Sequence, residues 1–231
     1  MGKKKIRLTR EGALIIGSTG VIADLHLGIE GTLEERGVAI PSMQLDELVE
    51  RSVALVEEFS LQELVIAGDL KHEFSRNVPG EWRDVRRYVE SLKDVVKLRV
   101  VRGNHDNYLA AILADYSVEF ADAVEVEGYA VVHGHRDWKG DRIIMGHEHP
   151  SIKVRHSGAV YSFRCFLHAR NNDREVWVLP AFSTFFPGSN VLEGEFLSPI
   201  LRGFRSEEID VYAIEDDVYY MGNLKVLSDL L

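Results

Sequence analysis

The sequence has one cysteine, no long apolar run and an excess of acidic over basic residues, and each shortage excludes a class of protein. Cys165 is alone, so an intramolecular disulfide framework is excluded. No apolar stretch approaches the roughly 20 residues of a membrane-spanning helix. The apolar run at residues 13–16 is too short for the core of a signal peptide. We therefore expect a cytoplasmic protein with no membrane partner.

The charge balance argues against a globally basic surface that grips nucleic acid. The formal net charge is −10, from 27 Lys and Arg against 37 Asp and Glu. One segment, residues 151–174, departs from this balance because its only acidic residue is Asp173. Its basic residues are Lys153, Arg155, Arg164, Arg170 and Arg174. This basic segment is either a solvated hairpin face or a contact surface for a phosphate backbone.

Length and composition favour one globular domain. A chain of 231 residues is long enough for one sizeable core and short for two. Hydrophobic residues make up 45% and charged residues 28%, which is ordinary for a packed protein and unlike a disordered chain. We see no internal repeat or linker in the sequence, so we expect a single domain over residues 1–231.

Short β-type runs in the first two thirds of the chain end in residues suited to metal or phosphate chemistry. These runs are residues 21–23, 64–67, 98–101 and 142–145. Apolar stripes with helical spacing lie between or near them, and we predict helices at 45–59 after a start at Pro41-Ser42, at 82–92 and at 109–113. This order predicts βαβ units, in which ligands bind beyond the carboxyl ends of strands. The polar groups at the four ends can therefore converge on one site.

From residue 123 onward the pattern is mostly β. The predicted strands are residues 123–126, 129–132, 159–168, 175–179, 210–214 and 218–221. Asn171-Asn172 can supply the turn of a hairpin. Residues 192–208 mix glycine, proline and both polarities, so we predict a loop there.

Five polar clusters occur in a fixed order, and together they are far more specific than any one of them. They are Asp24-Leu25-His26, Gly68-Asp69, Gly103-Asn104-His105-Asp106, His133-Gly134-His135 and Gly146-His147-Glu148-His149. Six of the nine histidines fall in these clusters, and each cluster lies at or near a predicted strand end. The agreement of residue type, order and placement indicates a single metal-dependent site.

The residue types in these clusters suit divalent transition metals. Asp24 and Asp69 supply hard carboxylates, Asn104 supplies a neutral carbonyl oxygen, and the histidines supply borderline nitrogen donors. This mixture favours Mn²⁺, with Fe, Zn²⁺ or Ni²⁺ as alternatives, over Mg²⁺ or Ca²⁺. Two such ions bring four positive charges and two aspartates remove two, so the site keeps an excess of about +2. An acidic protein can thus still attract a phosphate there.

The clusters resemble the motifs of the calcineurin-like metallophosphoesterases, which run Asp-x-His, Gly-Asp-x-x-Asp, Gly-Asn-His-Asp or Glu, His, and Gly-His-x-His. The resemblance covers residues 21–150, and residues 68–74 and 179–182 are most similar to the small SbcD-related members. It implies an α/β fold, a layered α/β/β/α sandwich in which helices flank two central sheets. The implied reaction is phosphoester hydrolysis by water activated between two metal ions.

The resemblance also implies roles for individual residues. One metal ion would be held by Asp24, His26, Asp69 and His149. The other would be held by Asp69, Asn104, His133 and His147, with Asp69 as the bridge. His105 corresponds to the histidine that stabilises the phosphoryl charge and protonates the leaving oxygen, and Asp106 would orient His105.

Several positions stay open at this stage. His72 stands where many family members have the second aspartate of Gly-Asp-x-x-Asp. Lys71 and His72 either contact a substrate phosphate or are structural, as a solvated lysine and a buried, hydrogen-bonded histidine. The spacing allows either His133 or His135 to be the ligand, and we choose His133 because the family motif begins there.

The expected substrate is a phosphodiester, with single-stranded or flap DNA as the specific prediction. A small-molecule phosphodiesterase or phosphatase, for example one acting on cyclic nucleotides, is the alternative that the net charge of −10 favours. A non-catalytic scaffold of the same fold is the third hypothesis, and the full set of ligand types counts against it. The sequence specifies no oligomeric state.

Overall fold

The computed structural model describes residues 5–38, 43–75 and 78–230. The first half of the chain alternates strands and helices. Its elements are β1 (Ile6–Leu8), β2 (Leu14–Ile16), β3 (Thr19–Ile22), α1 (Ile29–Glu35), α2 (Gln44–Phe59), β4 (Glu63–Ile66), α3 (Pro79–Leu92), β5 (Lys97–Val101), α4 (Leu109–Asp115) and β6 (Glu119–Ala121). The predicted helices at 45–59, 82–92 and 109–113 are confirmed, whereas the predicted start at Pro41-Ser42 lies outside the described residues.

The second half is mostly β, as its pattern predicts. Its elements are β7 (Val124–Val126), β8 (Tyr129–Val132), β9 (Arg142–Met145), β10 (Pro150–His156), β11 (Ala159–Arg170), β12 (Glu175–Val178), β13 (Ser189–Asn190), β14 (Ile209–Ile214), β15 (Val218–Asn223) and α5 (Leu224–Leu230). All six predicted strands occur. β10 was missed because its two apolar residues, Ile152 and Val154, are too few to stand out between basic neighbours. The predicted loop at 192–208 contains only short 3-10 turns.

The described strands form two sheets. The first has the order β1-β2-β3-β4-β5-β6, and β3 to β6 run parallel. The second has the order β13-β10-β11-β12-β9-β8-β7, and β14 and β15 join it beside β11. Within this second sheet, β8, β9 and β12 are parallel. Both sheets therefore have a block of parallel strands whose carboxyl ends point the same way.

The sheets pack on each other and on helices, which gives the predicted layered fold. β3 is buried along its whole length, with Ile22 in the core shared with α2 and α3 and Val21 in the core between the two sheets. A strand covered on both faces carries apolar residues at successive positions, which explains the run Val21-Ile22-Ala23 at the end of β3. On the outer face of the second sheet, Leu224 and Leu227 of α5 join the third core.

None of the described helices is long and apolar enough to cross a bilayer.

Candidate metal centre

Strand register brings the polar clusters to one edge of the molecule. Ile22 of β3 pairs with Ile66 of β4, and Ile66 pairs with Val100 of β5. In the second sheet, Val132 of β8 pairs with Met145 of β9. The clusters at Asp24, Asp69, Asn104, His133 and His147 begin within four residues of these paired positions. Parallel strands in register thus deliver all five clusters to the same place.

The backbone of the predicted ligands is left-handed at five of seven positions. The positive φ angles are 59° at Asp24, 49° at His26, 52° at Asp69, 69° at His147 and 45° at His149. A non-glycine residue in this region costs roughly 1–3 kcal/mol and persists only where its surroundings fix it. Hydrogen bonds fix it here, since Asp24 N donates to Gly68 O (3.1 Å) and His26 N donates to Asp69 O (3.0 Å).

Two glycines of the motifs are required by the close approach of neighbouring ligands. A Cβ on Gly103 would overlap the main-chain N and Oδ1 of Asp69, and a Cβ on Gly68 would overlap the ring of His133. Gly68 also has a φ of +90°. A glycine before Asp69 and another before Asn104 therefore allow clusters from different strands to pack against each other.

The first group of candidate ligands is Asp24, His26 and His149, whose donor atoms all lie within 4.8 Å of one another. His149 Nε2 is 3.3 Å from Asp24 Oδ1 and 3.4 Å from His26 Nε2. Asp24 and His26 are buried. Burial lowers the pKa of His26 to about 3, so its ring is neutral and has a lone pair for a metal.

The second group is Asp69, His133 and His147, also within 4.8 Å, and Asn104 joins it through His133. His133 Nε2 lies 3.2 Å from Asp69 Oδ2 and 3.0 Å from Asn104 Oδ1. Asp69 Oδ2 is also 3.9 Å from His26 Nε2 of the first group. The Asp69 carboxylate therefore lies between the two groups.

The electrostatics of both groups fit bound cations. His133 Nδ1–H donates a hydrogen bond to Ala67 O (2.9 Å). The lone pair of Nε2 then points toward the oxygens of Asp69 and Asn104. His133 Nε2, Asp69 Oδ2 and Asn104 Oδ1 are then three acceptors in contact. Such a contact is favourable only with a proton or a metal ion between them. Burial acts to lower the pKa of His133, but Asp69 and Asp24 raise it to about 9, so the pocket strongly favours positive charge.

The distances between donor atoms and their hydrogen bonding also fit bound cations. Two ligands of one ion, each with a bond of about 2.1 Å, lie about 3.0 to 3.4 Å apart for right-angle and tetrahedral arrangements. The contacts of His149 with Asp24 and His26, and of His133 with Asp69, fall in that range. Asp24 Oδ1 is buried and accepts no hydrogen bond from the described residues. A cation would satisfy that oxygen.

His133 and His135 lie at different positions relative to Asp69. Among the described residues, the donor group around Asp69 includes His133 and His147 but not His135. The His135 ring centroid lies 5.3 Å from that of His133, beside the group. His133 is thus the histidine placed beside Asp69, and its role as the ligand stays a prediction.

The prediction that Asp106 orients His105 is wrong. The buried Asp106 carboxylate instead accepts hydrogen bonds from four main-chain N–H groups, those of Gly103 (2.8 Å), Asp69 (2.9 Å), Leu70 (2.9 Å) and Lys71 (3.3 Å). Burial, together with Asp69, raises the pKa of Asp106 to about 6. Asp106 thus ties the loop of Asn104 to the loop of Asp69 and holds two candidate ligands in place.

His105 is positioned by other groups. Its main-chain N donates to Asp69 Oδ1 (2.9 Å), and its ring Nδ1 contacts the carbonyl oxygen of His72. The other ring nitrogen, Nε2, lies 4.0 Å from Asp69 Oδ2. The ring is partly exposed and borders the metal groups, where a substrate phosphate would lie.

Neither reading of Lys71 is correct. Lys71 is 1% exposed, and its Nζ contacts the carbonyl oxygen of Glu73 and lies 3.8 Å from Glu81 Oε2. It is therefore neither solvated nor available to a substrate. A buried lysine needs such a partner, because an unpaired charge in the interior is strongly unfavourable.

His72 is half-buried and belongs to the site. Its Nδ1 lies 3.4 Å from His26 Nδ1, and its ring stacks on that of His105 at 5.7 Å. Burial and His105 lower the pKa of His72 to about 4, so it is neutral. The three donor atoms of His26, His72 and His105 form a further group within 4.8 Å.

Residues that the sequence did not single out complete the surroundings. The ring of Phe186 lies 4.5 Å from that of His26 and 5.1 Å from that of His149, and covers this side of the site. The Gln44 amide donates to the carbonyl oxygens of Leu25 and His26. In the sequence, the run Phe185-Phe186-Pro187 is only a weak indication that Phe186 lies at the site, and nothing around Gln44 indicates it.

The basic residues of segment 151–174 lie in different surroundings. Arg164 is half-buried and donates to Ala181 O (3.0 Å). Arg155 and Arg170 lie near opposite ends of the β10–β11 pair, and the twelve residues of β11 span about 40 Å at roughly 3.3 Å per residue. The basic residues of the segment are therefore spread along the strand pair and are not concentrated at one point.

Comparisons with known proteins identify a family and a similar fold. The family model described as calcineurin-like phosphoesterase matches residues 18–178. The crystal structure of a Pseudomonas putida nuclease, MPE, is similar with a TM-score of 0.70 and 20% identity over 94% of this chain and 96% of that chain. YfcE, a phosphoesterase from E. coli, has a TM-score of 0.41 and 19% identity over 86% and 88% of the two chains, too distant to support an argument. No curated protein sequence matches the chain.

Proposed function

The chain belongs to the calcineurin-like phosphoesterases, a family of metal-dependent hydrolases, and on that premise we propose that it cleaves phosphodiesters, single-stranded or flap DNA first, at a binuclear metal centre. One observation supports this above all others. The Asp69 carboxylate lies between two groups of donor atoms, with His133 Nε2 at 3.2 Å and His26 Nε2 at 3.9 Å. A single carboxylate with ligand groups on both sides is what a two-metal site needs.

We assign the two ions to the two groups. One would be held by Asp24, His26, Asp69 and His149, and the other by Asp69, Asn104, His133 and His147. Mn²⁺ is the proposed metal, because carboxylate, amide and imidazole ligands together suit a cation of intermediate softness. When bound, two divalent ions supply positive charge to the phosphoryl oxygens and activate a water for attack on phosphorus.

The protein's own groups complete the reaction. His105 Nδ1–H donates to the His72 carbonyl oxygen. In the imidazolium form of the ring, Nε2 also carries a proton, which His105 would give to the leaving oxygen to become neutral. Asp106 keeps Asp69 and Asn104 at a fixed separation through the main-chain N–H groups of their loops. The ring of Phe186 excludes water from the side of His26 and His149.

The DNA prediction has support from a similar fold, since the Pseudomonas putida protein with a TM-score of 0.70 is a nuclease. That likeness covers 94% of the chain, which also supports one catalytic domain over residues 1–231. A small-molecule phosphodiesterase is the second candidate. The net charge of −10 favours this second candidate, because an acidic protein has no globally basic surface for a nucleic acid.

The test is hydrolysis by the Mn²⁺-loaded protein of a single-stranded oligonucleotide, a cyclic nucleotide and bis-nitrophenyl phosphate. We expect cleavage of the oligonucleotide, loss of cleavage in Asp69→Asn, and unchanged cleavage in the exposed control Asp173→Asn. Cleavage of the cyclic nucleotide alone would support the second candidate. A protein that binds two Mn²⁺ and hydrolyses none of these substrates would refute the proposal.

A further inference from the structure

A cleft with a volume of about 150 Å³ borders the candidate metal centre at His133. Its lining includes Arg102, Asp122, His133, His135, Arg136 and Trp138. The His135 ring, which the metal groups do not use, lies 5.3 Å from that of His133 and 6.2 Å from that of His147. A group bound in this cleft would therefore lie immediately beside the phosphate under attack.

The arginines of the cleft are available to bind an anion. Arg102 pairs with Asp122 at 3.4 Å, but the two side chains are 50% and 75% exposed, and such surface pairs contribute little. Arg136 is exposed and has no ion-pair partner among the described residues, while the adjacent Asp137 lies 3.9 Å from Arg174. A guanidinium can bind two phosphate oxygens at once, so an anion competes well for both arginines.

The other two side chains have features that a bound nucleotide would match. His135 Nδ1 is buried and has no hydrogen-bond partner among the described residues, and a buried polar atom without a partner is unfavourable. Trp138 lines the cleft and is half-buried, because part of its side chain packs against the third core. Bases stack on aromatic side chains with little dependence on their identity.

We propose that this cleft binds the nucleotide next to the scissile phosphate, with Arg102 and Arg136 on the neighbouring phosphate, His135 hydrogen-bonded to that nucleotide, and Trp138 stacked on its base. The inference rests on the proposed function and narrows it. The substrate is then a strand with at least two phosphates, and a lone phosphodiester such as a cyclic nucleotide fills only half of the site.

The first test changes the substrate and leaves the protein intact. With Mn²⁺-loaded protein, kcat/KM is compared for the thymidine dinucleotide TpT and for pTpT and TpTp, which carry an added terminal phosphate on either side. We expect one of the two longer substrates to gain at least tenfold. The inference is overturned if neither gains.

The second test changes the protein. The double variant Arg102→Gln, Arg136→Gln should lower the ratio of kcat/KM for oligo-dT to that for bis-nitrophenyl phosphate at least tenfold. It should also make the dependence of log kcat/KM on log salt less steep by about one to two. The matched control is Arg86→Gln, because Arg86 pairs with Asp115 at 3.5 Å with side chains 47% and 61% exposed, much like the pair in the cleft.

Stacking is tested separately at Trp138. Trp138→Leu should lower the ratio of kcat/KM for oligo-dT to that for bis-nitrophenyl phosphate at least fivefold. Trp138→Phe, which keeps an aromatic ring, should retain most of the wild-type ratio. A purely structural role would lower kcat/KM for both substrates and leave the ratio unchanged. An equal loss on both substrates in these variants, with two Mn²⁺ still bound, would overturn the inference. If the wild-type protein hydrolyses no phosphodiester, the proposed function itself fails, which is a different result from a ratio that does not change.

Discussion

The role of Asp69 as a bridge can be tested by removing its charge and keeping its shape. In Asp69→Asn the amide oxygen can still accept the hydrogen bond from His105 N, now 2.9 Å from Oδ1, so the loop should keep its position. What is lost is one negative charge within 4 Å of a ligand atom of each group, His133 Nε2 at 3.2 Å and His26 Nε2 at 3.9 Å.

The size of the effect follows from Coulomb's law. Two unit charges about 4 Å apart interact by about 4 kcal/mol at an effective dielectric constant of about 20. A change of 4 kcal/mol is about a thousandfold in an equilibrium constant. We therefore expect Mn²⁺ affinity to fall about a thousandfold or more at both sites of Asp69→Asn. His149→Ala removes a ligand from one group only, so it should weaken one site.

The assay is Mn²⁺ titration by calorimetry, with the bound metal counted by mass spectrometry after gel filtration. The expected counts are two ions for the wild-type protein, none for Asp69→Asn and one for His149→Ala. If Asp69→Asn retains one ion with nearly wild-type affinity, Asp69 belongs to a single site and the bridge assignment is wrong. Equal losses of activity in the two variants, with both ions retained, would also contradict it.

Three further outcomes are expected. Asp106→Ala removes the acceptor of four buried N–H groups, so its free energy of unfolding in urea should fall by about 3–5 kcal/mol. A loss below about 1 kcal/mol, similar to that of the control Asp173→Ala, would show that Asp106 does not hold the two loops together. Lys71→Met leaves the buried Glu81 carboxylate without the Lys71 ammonium and should lower the free energy of unfolding by about 3–5 kcal/mol. The double variant Lys71→Met, Glu81→Gln should recover most of that stability. If Lys71 instead bound the substrate directly, KM would rise in both variants. His105→Asn should slow hydrolysis of DNA by roughly 100- to 10,000-fold and of bis-nitrophenyl phosphate much less, because nitrophenolate leaves without a proton; equal factors on both substrates would exclude the acid role.

Much of this protein could be predicted from local sequence patterns. β3, β4, β5 and β9 each end in a short run of buried apolar residues, and this local composition indicates burial directly. The helical stripes of α2 and α3 are equally local. The candidate metal ligands follow these strands within a few positions, so the order of the motifs along the chain is enough to predict that they lie together at the strand ends.

The sequence was less informative where a side chain meets a partner far away in the chain. The sequence places Asp106 beside His105, whereas its carboxylate accepts hydrogen bonds from the main chain of the Asp69 loop. The sequence predicts Lys71 in solvent or on a substrate, whereas Glu81, in the first turn of α3, lies 3.8 Å from its Nζ. Nothing in the composition near either residue reports the position of a distant loop.

The sequence by itself determined the metal-binding chemistry, because residue types and their order are local properties that survive any folding of the chain. Only the tertiary structure decided how those residues are arranged. The fold places His133 rather than His135 beside Asp69 and brings the ring of Phe186 to 4.5 Å from that of His26. It also imposes left-handed backbone angles on Asp24 and four other candidate ligands, which no local preference of aspartate or histidine requires. These contacts depend on register and packing across the whole chain, and local patterns do not encode either one.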